Sequence, residues 1–253
     1  MSKLQQYRES RDLAHVAPLM GFMAFFVVLG LMESFGFAST RDGMPWYRSA
    51  PEQWVYPLQT IVIGGLLIFF RRHYELTPVR GLGFGIAMGV VGIIVWLAPG
   101  HVFRMLQMEP HWLLEKLGFA DRTEGFNPSF IQKHSQLWFA VAVVFRFLRM
   151  VVVVALIEEI FWRGFLMRYL ADMDGDYWQV PFGTFSWKSF IGVTLGVVLI
   201  HSPVDYGAAA IYGMLAYLVA IRTKSLSACV AMHATANLSL GLYTMGTGQW
   251  GYW

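Results

Sequence analysis

From Leu137 to Ile157 every residue except Arg146 and Arg149 is apolar, and the apolar character carries on to about Leu170. About 20 mostly apolar residues suffice for an α-helix to cross a bilayer. Inside hydrocarbon the backbone N–H and C=O groups must be satisfied within the segment, so a run of this kind commits the chain to a helix. Six further segments read the same way: Val16–Phe37, Tyr56–Phe70, Gly81–Pro99, Phe190–His201, Ala208–Ile221 and Leu226–Met245. Phe190–His201 and Ala208–Ile221 are short, as tilted, buried or broken spans are. Pro203 follows His201 by two residues and ends that helix. The expected fold is all-α, a polytopic transmembrane helical bundle of about seven spans.

Composition agrees. Hydrophobic residues make up 56% of the chain and charged residues 14%, against about 25% charged in a typical soluble domain. The mean hydropathy is +0.48. The net charge of +3 fits basic cytoplasmic loops, and no basic run interleaved with aromatics speaks for nucleic acid. A single cysteine, Cys229, allows no intrachain disulfide and reads as a small buried helix residue. No C-x-x-C and no H-E-x-x-H occurs, so the best-known zinc signatures are missing. The polar start, MSKLQQYRESRDLAHV, is too long before the first apolar run for a signal peptide, and is expected to stay as a cytoplasmic tail. With no internal repeat or linker, one domain over residues 1–253 is the simplest organisation.

Basic residues orient the spans. With the N-terminus inside, the inner segments hold eleven Lys and Arg residues, among them Lys3, Arg71, Arg72, Arg80, Arg163, Arg168 and Lys224. The outer segments hold six: Arg41, Arg48, Arg104, Lys116, Arg122 and Lys133. The bias places the N-terminus in the cytoplasm and the C-terminus outside. The longest polar stretch, His101–His134, reads either as an ordered extramembrane loop or, over RMLQMEPHWLLEKLGF, as an amphipathic helix at the interface. Gly81, Gly85 and Gly89, and again Gly192 and Gly196, recur every four residues, the spacing that lets helix backbones approach in lipid.

Against this background a few polar residues stand out. Glu158 and Glu159 sit side by side in ALIEEIFWRGFLMRYL. A charge at membrane depth costs ~2.5–3.5 kcal/mol even on the lenient insertion scale, so such groups face a cavity, pair with a cation or do chemistry. His201 ends FIGVTLGVVLIH. His233 and Asn237 lie four apart in ACVAMHATANLSL, on one helix face. At about 100° per residue, Glu159, Arg163 and Arg149 fall on one stripe, while Glu158 points roughly 100° away. Glu159 is therefore the natural ion-pair partner of Arg163, and Glu158 is free to face a cavity.

A buried carboxylate beside an imidazole suits activation of a water molecule, and a second histidine with an amide suits hydrogen bonding to an oxyanion. That constellation hydrolyses an amide or ester. No Ser-His-Asp set is readable, because the G-x-S-x-G elbow is absent.

Together these residues resemble the CAAX-processing and bacteriocin-processing family of intramembrane proteases, the group containing the Ras-converting enzyme. Its three motifs are E-E-x-x-x-R, F-x-x-x-H and H-x-x-x-N. Here EEIFWR matches the first from Glu158 to Arg163, and HATAN the third from His233 to Asn237. VVLIH keeps His201 of the second but has Val197 where phenylalanine is usual. The resemblance covers roughly Val151–Met245 and makes residues 151–245 the catalytic core. It implies that Glu158 and His201 activate water, that His233 and Asn237 hold the oxyanion, and that Glu159 and Arg163 support the site. It implies a membrane-anchored protein or peptide substrate, prenylated for some members. The short chain with its C-terminus outside reads as a multi-pass protein of a bacterial inner membrane.

Zinc is admitted on ligand count, through Glu158, His201 and His233. Using all three would leave Glu159 as the only nearby carboxylate base, so a site without metal is the expectation. Two other classes stay open: a non-catalytic membrane immunity or scaffold protein of the same fold, and a small transporter with Glu158 as a proton relay.

Overall fold

The computed structural model describes residues 3–38, 45–123 and 125–253. Arg41 lies outside the described residues, as do Met1, Ser2 and the side chain of Lys3. Among the described residues there is no strand. The protein is all-α, and seven long helices correspond to the seven apolar segments. They are α1 (Arg11–Ser34), α2 (Glu52–Phe70), α3 (Leu82–Met105), α4 (Gln136–Ala171), α5 (Trp187–Leu199), α6 (Tyr206–Thr223) and α7 (Leu226–Thr247).

Length and composition let α1, α2, α3, α4 and α6 cross a membrane. α5, with 13 residues, is too short for the ~20 that span the core. α7 is long enough at 22 residues, but its Ser, Thr, His and Asn side chains dilute its apolar character. α7 carries His233 and Asn237, and His201 follows just past the end of α5.

Several boundaries move from their sequence positions for local reasons. α1 begins at Arg11 rather than Val16, because the Ser10 hydroxyl accepts the Leu13 N–H at 3.2 Å and caps the helix. α3 runs through Pro99 to Met105. Beyond it Gln107 takes a left-handed φ of 49°, and Pro110 follows. No amphipathic helix spans RMLQMEPHWLLEKLGF: after α3 ends at Met105, only the short turn Trp112–Glu115 is helical there. Arg163 and Arg168, counted with the inner loops, lie inside α4 and are buried.

The chain divides into two compact units. In the first, residues 1–74 and 126–157, α1 packs on α2 and α2 on the first part of α4. Two arginines of α4 are buried here. Arg149 Nε donates to Gln59 Oε1 at 2.6 Å, and its guanidinium lies 4.2 Å from the centre of the Tyr56 ring. The Gln59 amide in turn donates to the Phe22 carbonyl at 2.8 Å. Arg146 lies over Phe126 at 4.9 Å and Tyr56 at 5.0 Å. Residues Leu148–Val154, which include Arg149, form π-helical turns, and a turn closed i→i+5 advances less per residue than an α turn.

In the second unit, residues 75–125 and 158–253, α3 lies along α7, α6 packs on α3, α5 and α7, and the last turns of α4 pack on α5. The glycines expected at close approaches are where the backbones meet. A Cβ on Gly89 would lie 2.5 Å from the Met232 carbonyl oxygen and 3.0 Å from Thr235 Cβ, while Gly85 faces the Ala228 carbonyl. Gly196 is covered by the Trp162 ring, 2.7 Å from such a Cβ. The α3 glycines thereby seat the stretch of α7 that carries His233.

Candidate active site

All six residues of the polar set belong to the second unit. Glu159 is fully buried on α4. Its Oε1 accepts from Arg163 Nη1 at 3.0 Å, the i, i+4 ion pair expected from the helix angles. The same oxygen lies 2.9 Å from His233 Nδ1 on α7. Arg163 Nη2 donates on to the Gly213 carbonyl of α6 at 3.4 Å. One carboxylate oxygen therefore ties three helices together. The other, Oε2, is buried without a hydrogen-bond partner among the described residues.

These bonds set the chemistry of the imidazoles. The Glu159 carboxylate, with a guanidinium donating into it, acts as acceptor, so His233 carries a proton on Nδ1 and turns Nε2 outward. His201 is fixed similarly. It lies just past the end of α5, with Nδ1 2.7 Å from the carbonyl oxygen of Val197. A carbonyl only accepts, so Nδ1 is the protonated nitrogen and Nε2 is left for other work. Val197 is itself buried, and the small side chain in place of phenylalanine does not disturb this bond.

Glu158 is half-buried, and no hydrogen bond or ion pair among the described residues ties it down. It is close enough for its charge to act on His233 and on Tyr212. Asn237 is half-buried one turn beyond His233. Among the described residues, no hydrogen bond or ion pair joins His201 to Glu158. His201 is linked to His233 through a row of rings: His201 to Trp96 at 5.4 Å between centres, Trp96 to Tyr212 at 6.0 Å, and Tyr212 to His233 at 5.7 Å.

The sequence did not point to the Glu159–His233 bond, to Trp96 or to Tyr212. Helix angles within α4 pair Glu159 with Arg163 but say nothing of a residue 74 positions away. Tyr212 had one legible signal: a tyrosine at membrane depth in a helix otherwise rich in alanine and glycine.

A zinc set of Glu158, His201 and His233 does not fit this geometry. Among the described residues, no group of three or more His, Cys, Asp and Glu side chains is placed to hold a metal ion. Cys229 is buried and free on α7.

Residues 139–239 match a family model described as type II CAAX prenyl endopeptidase Rce1-like. Over that stretch the chain is similar to the Rce1-like family. The matched segment begins in the apolar run of α4 and ends two residues past Asn237, so it holds all three motifs and the whole polar cluster. The Rce1-like family is a protease family, described as acting on prenylated CAAX proteins. The apolar helices make the chain an integral membrane protein, and its residues 139–239 are similar to that protease family. Neither a curated protein nor a solved structure matches the chain.

Proposed function

We propose that the chain is an intramembrane endopeptidase that hydrolyses a peptide bond near the C-terminus of a membrane-anchored protein or peptide, of the prenylated CAAX kind or another C-terminally sorted kind. The observation that carries this reading is the junction at Glu159 Oε1, where Arg163 of the first motif and His233 of the third meet beside an unheld Glu158. A scaffold has no need of a carboxylate left unpaired next to an imidazole whose tautomer is fixed.

In this mechanism Glu158, assisted by Nε2 of His201, takes a proton from water as the water oxygen bonds to the scissile carbonyl carbon. The carbonyl π pair moves onto oxygen, and His233 and Asn237 hydrogen-bond to the oxyanion. The C–N bond then breaks, and the proton held by Glu158 passes to the leaving amine. Glu159 and Arg163 hold His233 in place. No step is routed through a metal. The catalytic core is residues 151–245 of a multi-pass protein of the bacterial inner membrane, with the N-terminus in the cytoplasm.

The test is cleavage by purified protein of a library of membrane-anchored peptides, prenylated and not. Glu158→Ala and His201→Ala should each lower the rate on the order of 10²–10⁴ while the protein still accumulates in the membrane. In cells, mass spectrometry of membrane proteins that lengthen in the Glu158→Ala strain identifies the substrate. Activity should survive exhaustive chelation. Stoichiometric zinc whose removal abolishes activity and whose return restores it would overturn the metal-free step. A reporter fused at Trp253 should be active only outside the cytoplasm.

A further inference from the structure

We propose that Tyr212 is a further catalytic residue, its phenol hydroxyl donating a hydrogen bond to the oxyanion beside His233 and Asn237. Tyr212 is on α6 and only 8% exposed, yet its hydroxyl has no hydrogen-bond partner among the described residues. Buried polar groups are nearly always satisfied, and one that is not asks for a ligand. Phenylalanine would fill the same space. The hydroxyl therefore adds nothing to packing.

Its surroundings name the ligand. The ring is in edge contact with His233 at 5.7 Å, interplanar angle 68°, and with Trp96 at 6.0 Å. The charges of Glu159 and Glu158 both reach it. A phenol is a donor to whatever negative charge develops there, and its place beside His233 puts it with the groups assigned to the oxyanion.

α3 lies close against the ring. A Cβ on Gly92 of α3 would stand 2.7 Å from Tyr212 Cδ2 and 2.8 Å from Cε2, so α3 closes against the ring by having no side chain at that point. A donor held before the charge develops costs no reorganisation when it does, which is the condition for stabilising a transition state rather than a bound substrate.

The inference rests on the proposed hydrolysis, and one experiment separates the two. Wild type, Tyr212→Phe and Glu158→Ala are reconstituted in liposomes and assayed on the same library of prenylated and unprenylated anchored peptides, with thermal unfolding followed in parallel. Tyr212→Phe should lower kcat on the order of 10², the loss seen when one oxyanion donor is removed. KM should change little, and Tm should not fall, because no hydrogen bond of the folded protein is lost. An active wild type with Tyr212→Phe equally active overturns the inference alone. So does a Tyr212→Phe that melts lower at unchanged kcat, since the hydroxyl would then serve a resident group such as the orphan Oε2 of Glu159. A wild type that cleaves none of the peptides overturns the hydrolytic reading and the inference with it.

Discussion

Arg149 and Arg163 are buried arginines of the same helix, 4% and 1% exposed, one in each compact unit. They are met in different ways. Arg149 is received by the Gln59 amide and by the faces of Tyr56 and Phe22, whose centre is 4.7 Å away. An amide and two π faces stabilise a guanidinium without offering any group that changes charge near neutral pH. Arg163 is received by a carboxylate that also binds an imidazole. That arrangement includes a histidine, a second free carboxylate in Glu158 and an unmet hydroxyl in Tyr212, so protons have somewhere to go. The first pattern builds a helix pair. The second builds a site.

The sharpest way to break this contrast is at Glu159. Glu159→Ala leaves Arg163 buried without its counter-ion, which costs about 3–5 kcal/mol when one member of a buried pair is removed, and releases His233. Unfolding in detergent should show that loss, with activity falling alongside. A variant that melts like wild type would mean that Arg163 finds another partner and that the junction is not structural.

Next comes Gln59→Leu in the first unit. It removes the acceptor of Arg149, a hydrogen bond to a charged group, and should lower stability by about 1.5–3 kcal/mol. The same purified protein should keep its kcat. A large loss of kcat at modest loss of stability would join the first unit to the chemistry and dissolve the contrast.

Gly89→Ala tests the seat of α7. The added Cβ would meet the Met232 carbonyl at 2.5 Å, backbone that cannot simply rotate aside. A destabilisation of about 1–3 kcal/mol is expected from such overpacking, together with a fall in kcat as His233 shifts from Glu159. Unchanged kinetics would show that α7 can slide without disturbing the junction.

The smallest effect belongs to Arg72–Glu9, a 2.6 Å pair with side chains 43% and 50% exposed. Arg72→Ala should cost no more than about 1 kcal/mol, less in high salt, as read from Tm at two ionic strengths. A larger loss would mean that the N-terminal segment contributes more to the first unit than exposed charges do.

The amino-acid sequence alone determined the helical class, the seven apolar segments, the close approaches at Gly85, Gly89 and Gly196, and the Glu159–Arg163 pair. Each follows from a local rule: hydrophobic length, the need to satisfy the backbone in lipid, the spacing of small residues, the i, i+4 geometry of one turn. The sequence also gathered Glu158, His201, His233 and Asn237 as a set, because polar groups in apolar runs are costly and so conspicuous. Only the tertiary structure decided how that set is joined. Helix angles along α4 could not supply the partners of Arg149, which are Gln59, Tyr56 and Phe22 on other helices. The bond from Glu159 to His233 and the row His201–Trp96–Tyr212–His233 bring together residues on different helices. Such meetings depend on how α3, α6 and α7 pack, and that packing is set where glycine backbones touch carbonyls and rings, far from any motif.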